Sequence, residues 1–305
     1  MTERKEKMAA KLAALGAVVA LSIPLSACSP EAPEDSKPQV LTTFTVIADM
    51  AQNVAGERLE VNSITKPDAE IHEYQPTPED IKRAENADLI LNNGLDLERW
   101  FEKFVANTDA QTAVLSEGIT PIPISEGDYA GHPNPHAWMS PAAGVKYVEN
   151  IVKAFSKLDP EGADYYEKNG KEYAAKIEAV GKQMEEELQT LEPDQRALVT
   201  CEGAFSYLAR DAGLQEKYLW AVNAEGALTP ARVADVENFV RTNKIPSVFC
   251  ESTVGDKMKP IVQATGTEYG GTLYVDSLTG PDGDVPTYLD LLRYDAELIT
   301  KGLSK

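Results

Sequence analysis

The sequence predicts an α/β protein of two lobes, each with a mainly parallel sheet flanked by helices, joined by one long linker helix. From residue 40 onward, short aliphatic or β-branched runs alternate with amphipathic stretches of helical length. Strands separated by helices of that size pair in parallel, as βαβ units. Between Pro160 and Pro193 the alternation stops, and the stretch carries many helix formers with apolar residues three and four apart. It reads as a single helix. From Ala197 the alternation resumes. The predicted divisions are 40–158 for the first lobe, 159–193 for the linker helix and 194–305 for the second lobe.

The chain opens on a segment outside that pattern. Arg4, Lys5, Lys7 and Lys11 precede an apolar run from Leu12 to Pro24, of signal-peptide length and short for a membrane span. Leu25-Ser26-Ala27-Cys28 then resembles a lipoprotein cleavage box, with residues 1–27 removed and Cys28 lipidated. Residues 28–39, rich in Pro, Glu and Ser, form a disordered tether. The expected location is the outer face of the cytoplasmic membrane, extracellular or periplasmic, anchored by lipid and not spanning.

In the first lobe, VLTT followed by FTVIADMAQNVAG gives a strand and a helix, and LEVNSIT a second strand. TPEDIKRAEN is a helix opened by Thr77 and Pro78, ADLILNNG and AVLSEG are further strands, and a helix starts at Ser140-Pro141. In the second lobe ALVT, YLWAV, IPSVFC and TLYV read as strands. The helices between and after them are AFSYLARDAG, TPARVADVENFVRTNK, MKPIVQATG and PTYLDLLRYDAELITKGL. Ligands in such folds bind at the carboxyl ends of parallel strands, which for two lobes means the cleft between them.

Composition narrows the function. A hydrophobic content of 43% suits a globular protein with sizeable cores, and a formal charge of -20 argues against a nucleic-acid partner. Histidine is scarce: three in 305 residues. Two of them, His132 and His136, share the loop GHPNPHAWMSP, whose prolines exclude a helix or a central strand. The third, His72, lies in IHEYQPTPE, again a proline-rich loop leading into a helix. Imidazole is the commonest transition-metal ligand, and proline-stiffened loops lower the ordering cost of binding. After Cys28, Cys201 and Cys250 remain, each behind a short apolar run; outside the cytoplasm they form either a disulfide or two buried thiols.

The motifs HEYQPTPEDI, NGLDLERW, NPHAWMSP, CEGAFSYLARDAGL and YVDSLTG, in this order, resemble the metal-binding solute receptors of manganese, zinc and iron ABC importers. The resemblance covers residues 40–305 and is strongest to the manganese-type lipoproteins. It implies four metal ligands, His72, His136, Glu202 and Asp276, with His132 left over as a surface or supporting residue; Glu251, beside Cys250, is a candidate for a supporting residue only. Zinc members usually carry a third histidine where this chain has Glu202. Two imidazoles and two carboxylates are a harder donor set, so Mn²⁺ is the expected cargo, with Zn²⁺ and Fe²⁺ as alternatives. Glu70-Ile71 before His72 departs from the Asp-Pro of many members, which affects the loop shape.

The function so implied is that of a monomeric extracytoplasmic receptor that hands its ion to a membrane permease, with no catalysis and small lobe movements. A disulfide between Cys201 and Cys250 would orient the adjacent Glu202, and its reduction would weaken metal retention. The rival is a secreted metallohydrolase, which needs an open coordination position for water; no HExxH, GxSxG or Walker loop is present. A structural lipoprotein, the third reading, predicts no tight metal. Asp282 and Asp284 in GPDGD lack calcium-loop spacing and read as a turn.

Overall fold

The computed structural model describes residues 37–305 apart from 106–107, 126, 128, 223–227 and 256. The predicted signal peptide, Cys28 and most of the tether lie outside the described residues.

The first lobe is built on β1 (Gln39–Thr42), β2 (Glu60–Ser63), β3 (Leu89–Asn92) and β4 (Gln111–Val114), all parallel, in the order β2-β1-β3-β4. The two-residue period of a strand sends neighbouring side chains to opposite faces. Val40 therefore joins the core under α1 (Thr45–Ala55), while Leu41 meets Ile64, Ala84, Ile90 and Phe101 on the other side. Burial on both faces explains why β1 and β3 read as near-continuous apolar runs. Helix α2 (Pro78–Glu85) opens with a reciprocal capping box between Thr77 and Asp80. A short α3 (Phe101–Val105), which periodicity did not predict, precedes β4.

Helix α4 (Pro141–Leu158) starts where predicted, with the Ser140 hydroxyl accepting the Ala143 amide and proline in the first turn. Helix α5 (Ala163–Leu188) follows, 26 residues and roughly 39 Å long. Its buried side, Tyr166, Gly170, Tyr173, Ile177, Val180, Met184 and Leu188, is spaced three and four apart. The helix lies within the predicted 159–193.

In the second lobe, β5 (Ala197–Glu202) pairs in parallel with β6 (Gln215–Trp220), and β7 (Ser247–Glu251) with β8 (Glu268–Leu273). A disulfide between Cys201 and Cys250, Cα atoms 4.9 Å apart, joins β5 to β7. Helices α6 (Ser206–Ala212), α7 (Pro230–Thr242) and α8 (Lys259–Thr265) connect the strands, and α9 (Tyr288–Leu303) ends the chain's fold.

Three strands begin earlier than their apolar runs suggest. Among the described residues β4 pairs only with β3, at the edge of the sheet, and is largely exposed, so it carries little hydrophobic signal. β6 opens on the charged and polar Gln215-Glu216-Lys217. β8 contains Gly270 and Gly271, poor strand formers. Their reason is steric: a Cβ on Gly270 would sit 2.3 Å from the Phe249 ring, and Gly271 adopts φ 137° beside a bulge in the β7–β8 ladder.

One hydrophobic core crosses the seam. It includes Val40, Ile47 and Leu91 from the first lobe, Tyr173 and Ile177 from α5, and Leu198, Leu273 and Ile299 from the second. Asp49 of α1 reinforces it by accepting hydrogen bonds from the Tyr173 hydroxyl and the Tyr288 amide, each at 3.0 Å.

Candidate metal centre

Each predicted ligand is held by its own local frame. His72 lies in the loop before α2, well beyond the end of β2, and its amide donates to Glu70 Oε1 at 2.9 Å. The carbonyl of Ile71 accepts Trp100 Nε1 at 3.3 Å, and the Tyr74 hydroxyl donates to Asp80 Oδ2 at 2.9 Å. Since Asp80 also closes the cap of α2, the proline-rich loop is fastened to that helix at one node.

His136 is far past β4, in a loop folded back on itself by bonds between Ile124 and His132 and between Asn134 and Ile122. Its ring Nδ1 donates to Asn134 Oδ1 at 2.9 Å, which leaves Nε2 as the free lone pair. Ala137, Trp138 and Met139 form a short 3-10 turn that leads into Ser140 and α4. Trp138, fully buried, donates from Nε1 to the carbonyl of Val275, next to Asp276. The expected placement at the carboxyl ends of parallel strands holds for two of the four: Glu202 is the last residue of β5 and Asp276 closely follows β8, whereas the histidines belong to loops fixed at helix starts.

The four side chains meet. His72 Nε2 and His136 Nε2 are 3.1 Å apart, Glu202 Oε1 is 3.3 Å from the first and 3.5 Å from the second, and Asp276 Oδ1 is 3.8 and 3.9 Å from them. Donors sharing one ion at bonds of about 2.0–2.2 Å lie about 3–4 Å from one another. The set therefore fits a single cation. The His136, Glu202 and Asp276 side chains are completely buried and that of His72 nearly so, and two carboxylates neutralise a dication in a place where net charge would be costly.

Electrostatics bind the groups to one another. Burial opposes a charged His72, but the Glu202 and Asp276 carboxylates outweigh it and lift the imidazole to about 9. Burial pushes His136 below its ordinary value. Burial would raise Glu202, yet the two imidazoles hold it down at about 2. Beside it, burial and the Glu202 charge push Glu251 well above the usual carboxylate range, and Glu251 Oε2 accepts the Glu202 amide at 3.0 Å. Cys201 and Cys250 lie within reach of Glu251, but their sulfurs are committed to the disulfide.

His132 stays apart from the tetrad. Half exposed, it faces Asp96 at 3.6 Å in a 180 Å³ pocket that His72 also lines. Asp284 accepts the Tyr274 hydroxyl at 3.3 Å in an exposed turn with Asp282, as predicted. Sequence reading passed over Asn134, because an Asn-Pro pair in a loop looks like an ordinary turn. The signal available was its position two residues before a histidine.

The family model described as zinc-uptake complex component A, periplasmic, matches residues 40–302. The chain is 50% identical over 311 residues to the iron-binding protein YfeA of Yersinia pestis, covering both chains completely. It is 33% identical to the manganese ABC transporter substrate-binding lipoprotein PsaA of Streptococcus mitis, across 97% of this chain and 99% of that one. Among solved structures, the Mn-bound periplasmic metal binding protein from Candidatus Liberibacter asiaticus superposes with a TM-score of 0.83 at 40% identity, over 88% of this chain and all of that one.

Proposed function

We propose that this chain, which belongs to the periplasmic zinc-uptake component A family of metal receptors, takes Mn²⁺ as its cargo on His72, His136, Glu202 and Asp276. It is the metal-binding component of an ABC importer and not an enzyme, and it works outside the cytoplasmic membrane, delivering its ion to a permease. The observation that carries the reading is the convergence of four donor atoms, all within 4.8 Å of one another, in a buried seam. Four protein donors leave little room for an activated water, which distinguishes the site from that of a metallohydrolase.

The choice of manganese rests on the donor set. Two carboxylates beside two imidazoles make a mixed oxygen and nitrogen site, suited to Mn²⁺ or Fe²⁺, and carboxylates that bind through both oxygens let the ion exceed four-coordination. Iron(II) is the second reading, favoured by the 50% identity to a protein named for iron binding. The receptor acts as a monomer, held by lipid at Cys28, with 40–158 and 194–305 as lobes on the 159–193 helix.

Elemental analysis of protein purified without added metal tests this. Expected is one manganese per chain in the wild type, and a loss of at least tenfold in retention for His136→Ala, since even partners outside the coordination sphere are worth 10–100-fold. Iron in place of manganese would move the reading to the second. Protein that holds no ion after exposure to either would end both.

A further inference from the structure

The two half-sites belong to different lobes, so something must set the distance between them. His72 and His136 come from the first lobe, Glu202 and Asp276 from the second. Several polar links join the lobes near the ligands, among them the Tyr207 hydroxyl to the Asn134 carbonyl and Trp138 to the Val275 carbonyl, and one side chain touches a ligand of the first lobe and the neighbour of a ligand of the second. Asn134 Oδ1 accepts two hydrogen bonds from His136, one from the backbone amide at 3.0 Å and one from ring Nδ1 at 2.9 Å. Its Nδ2 donates to the Gly203 carbonyl at 2.6 Å and to Ser206 Oγ at 3.1 Å. Gly203 adjoins Glu202. The amide is buried, at 2% exposure.

The direction of every bond is fixed. The His136 amide can only donate, so the atom facing it is oxygen and the atom facing Gly203 is nitrogen. Ser206 gives its own proton to Glu216 Oε2 at 2.5 Å, which leaves its oxygen to accept from Asn134. A side chain that accepts twice on one side and donates twice on the other is required. Among short side chains only asparagine does this.

We infer that Asn134 is a positioning residue that clasps the two half-sites together, fixing the tautomer of His136 and the closeness of Glu202 with one amide, so that loss of its second-lobe bonds speeds the departure of the metal. The inference rests on the receptor reading given above.

Asn134→Asp separates the two duties of the amide. A carboxylate still accepts both bonds from His136, and in that role it makes the imidazole more basic and a better ligand. It cannot donate to Gly203, and an anionic oxygen then faces a carbonyl across a 2.6 Å gap. The backbone links of residue 134, its amide to Ile122 O and its carbonyl from the Tyr207 hydroxyl, survive the change. Mn²⁺-loaded wild type, Asn134→Asp and Ser206→Ala would be mixed with excess chelator and the dissociation followed by stopped flow. Expected for Asn134→Asp is release faster by about 10–100-fold, with little change in association, and a smaller acceleration for Ser206→Ala. Release from Asn134→Asp at or below the wild-type rate would overturn the inference, because it would leave Asn134 only the orientation of His136.

A second measurement is independent of metal. Nitroxide labels at Ile81→Cys on α2 and Tyr269→Cys on β8, both exposed positions on opposite lobes, report the interlobe distance. The clasp predicts a longer or broader distribution in Asn134→Asp than in wild type without metal; an unchanged one would overturn it. Wild type that takes up no Mn²⁺ would sink the manganese reading, and the label distances would still decide on the clasp.

Discussion

Lowering the pH from 8 to 6 should weaken Mn²⁺ binding about 100-fold. The two ring Nε2 atoms stand 3.1 Å apart, a distance at which two lone pairs repel unless a proton lies between them. His136 spends its Nδ1 proton on Asn134, so the shared proton belongs to His72. Although burial disfavours its charge, Glu202 and Asp276 hold His72 protonated up to about 9. An entering dication needs the His72 Nε2 lone pair and must expel that proton. Below about 9 each pH unit therefore costs a factor of about ten, or about 1.4 kcal/mol. Glu202, held at about 2, stays ionised and adds nothing in this range, and burial holds His136 below its ordinary value. Calorimetry in two buffers of different protonation heat counts the protons. One should leave per Mn²⁺ at pH 7.5 and about half as many at pH 9. The metal-free protein responds in the opposite sense: a raised folded-state value adds stability that is complete below about 6.5 and disappears as the pH rises through about 9. Release of no proton, or of two, at pH 7.5 would refute the argument.

Reducing the Cys201–Cys250 disulfide, or replacing both residues by serine, opens a loop of 49 residues and should cost about 4 kcal/mol in chemical denaturation. It should also speed metal loss, because Cys201 adjoins Glu202; equal retention in both forms would dismiss that role. Thr77→Ala removes the cap of α2 and should destabilise the protein by about 1 kcal/mol in urea. His132→Ala should bind Mn²⁺ within about threefold of wild type by competition titration, since His132 is half exposed and its ion pair is worth little.

His72 and His136 stood out in the sequence because histidine is rare in this chain and because both occur in proline-rich loops that no core pattern explains. Glu202 and Asp276 were different. Taken alone, an acid at a strand end reads equally well as a helix-start or turn residue, and only the family resemblance lifted them. Periodicity recovered the helices whose buried faces repeat every three or four residues, α5 above all. It misplaced β4, β6 and β8 because an edge strand, a charged strand start and a Gly-Gly pair carry no apolar alternation. Asn134 escaped because its function lies in bonds to residues some seventy positions away, which leave no local trace. Glu251 was noticed for its place beside Cys250, but its bond to the Glu202 amide needed coordinates.

The continuous core limits how such a receptor can let go of its ion. Separating the lobes widely would tear apart a packed cluster that includes Tyr173 and Ile177 of α5 together with Leu198 and Leu273 of the second lobe, exposing side chains worth about 1.5–3 kcal/mol each. A docked permease need not supply that much. The ligand ends of the lobes are joined by polar links at Asn134, at Trp138 to Val275, and at Thr45 to Leu278, each worth about 1 kcal/mol net. Loosening such links costs far less than parting the core along α5. A shift of an ångström or two at the seam is enough, because donors about 3–4 Å apart already stand at the spacing one ion requires.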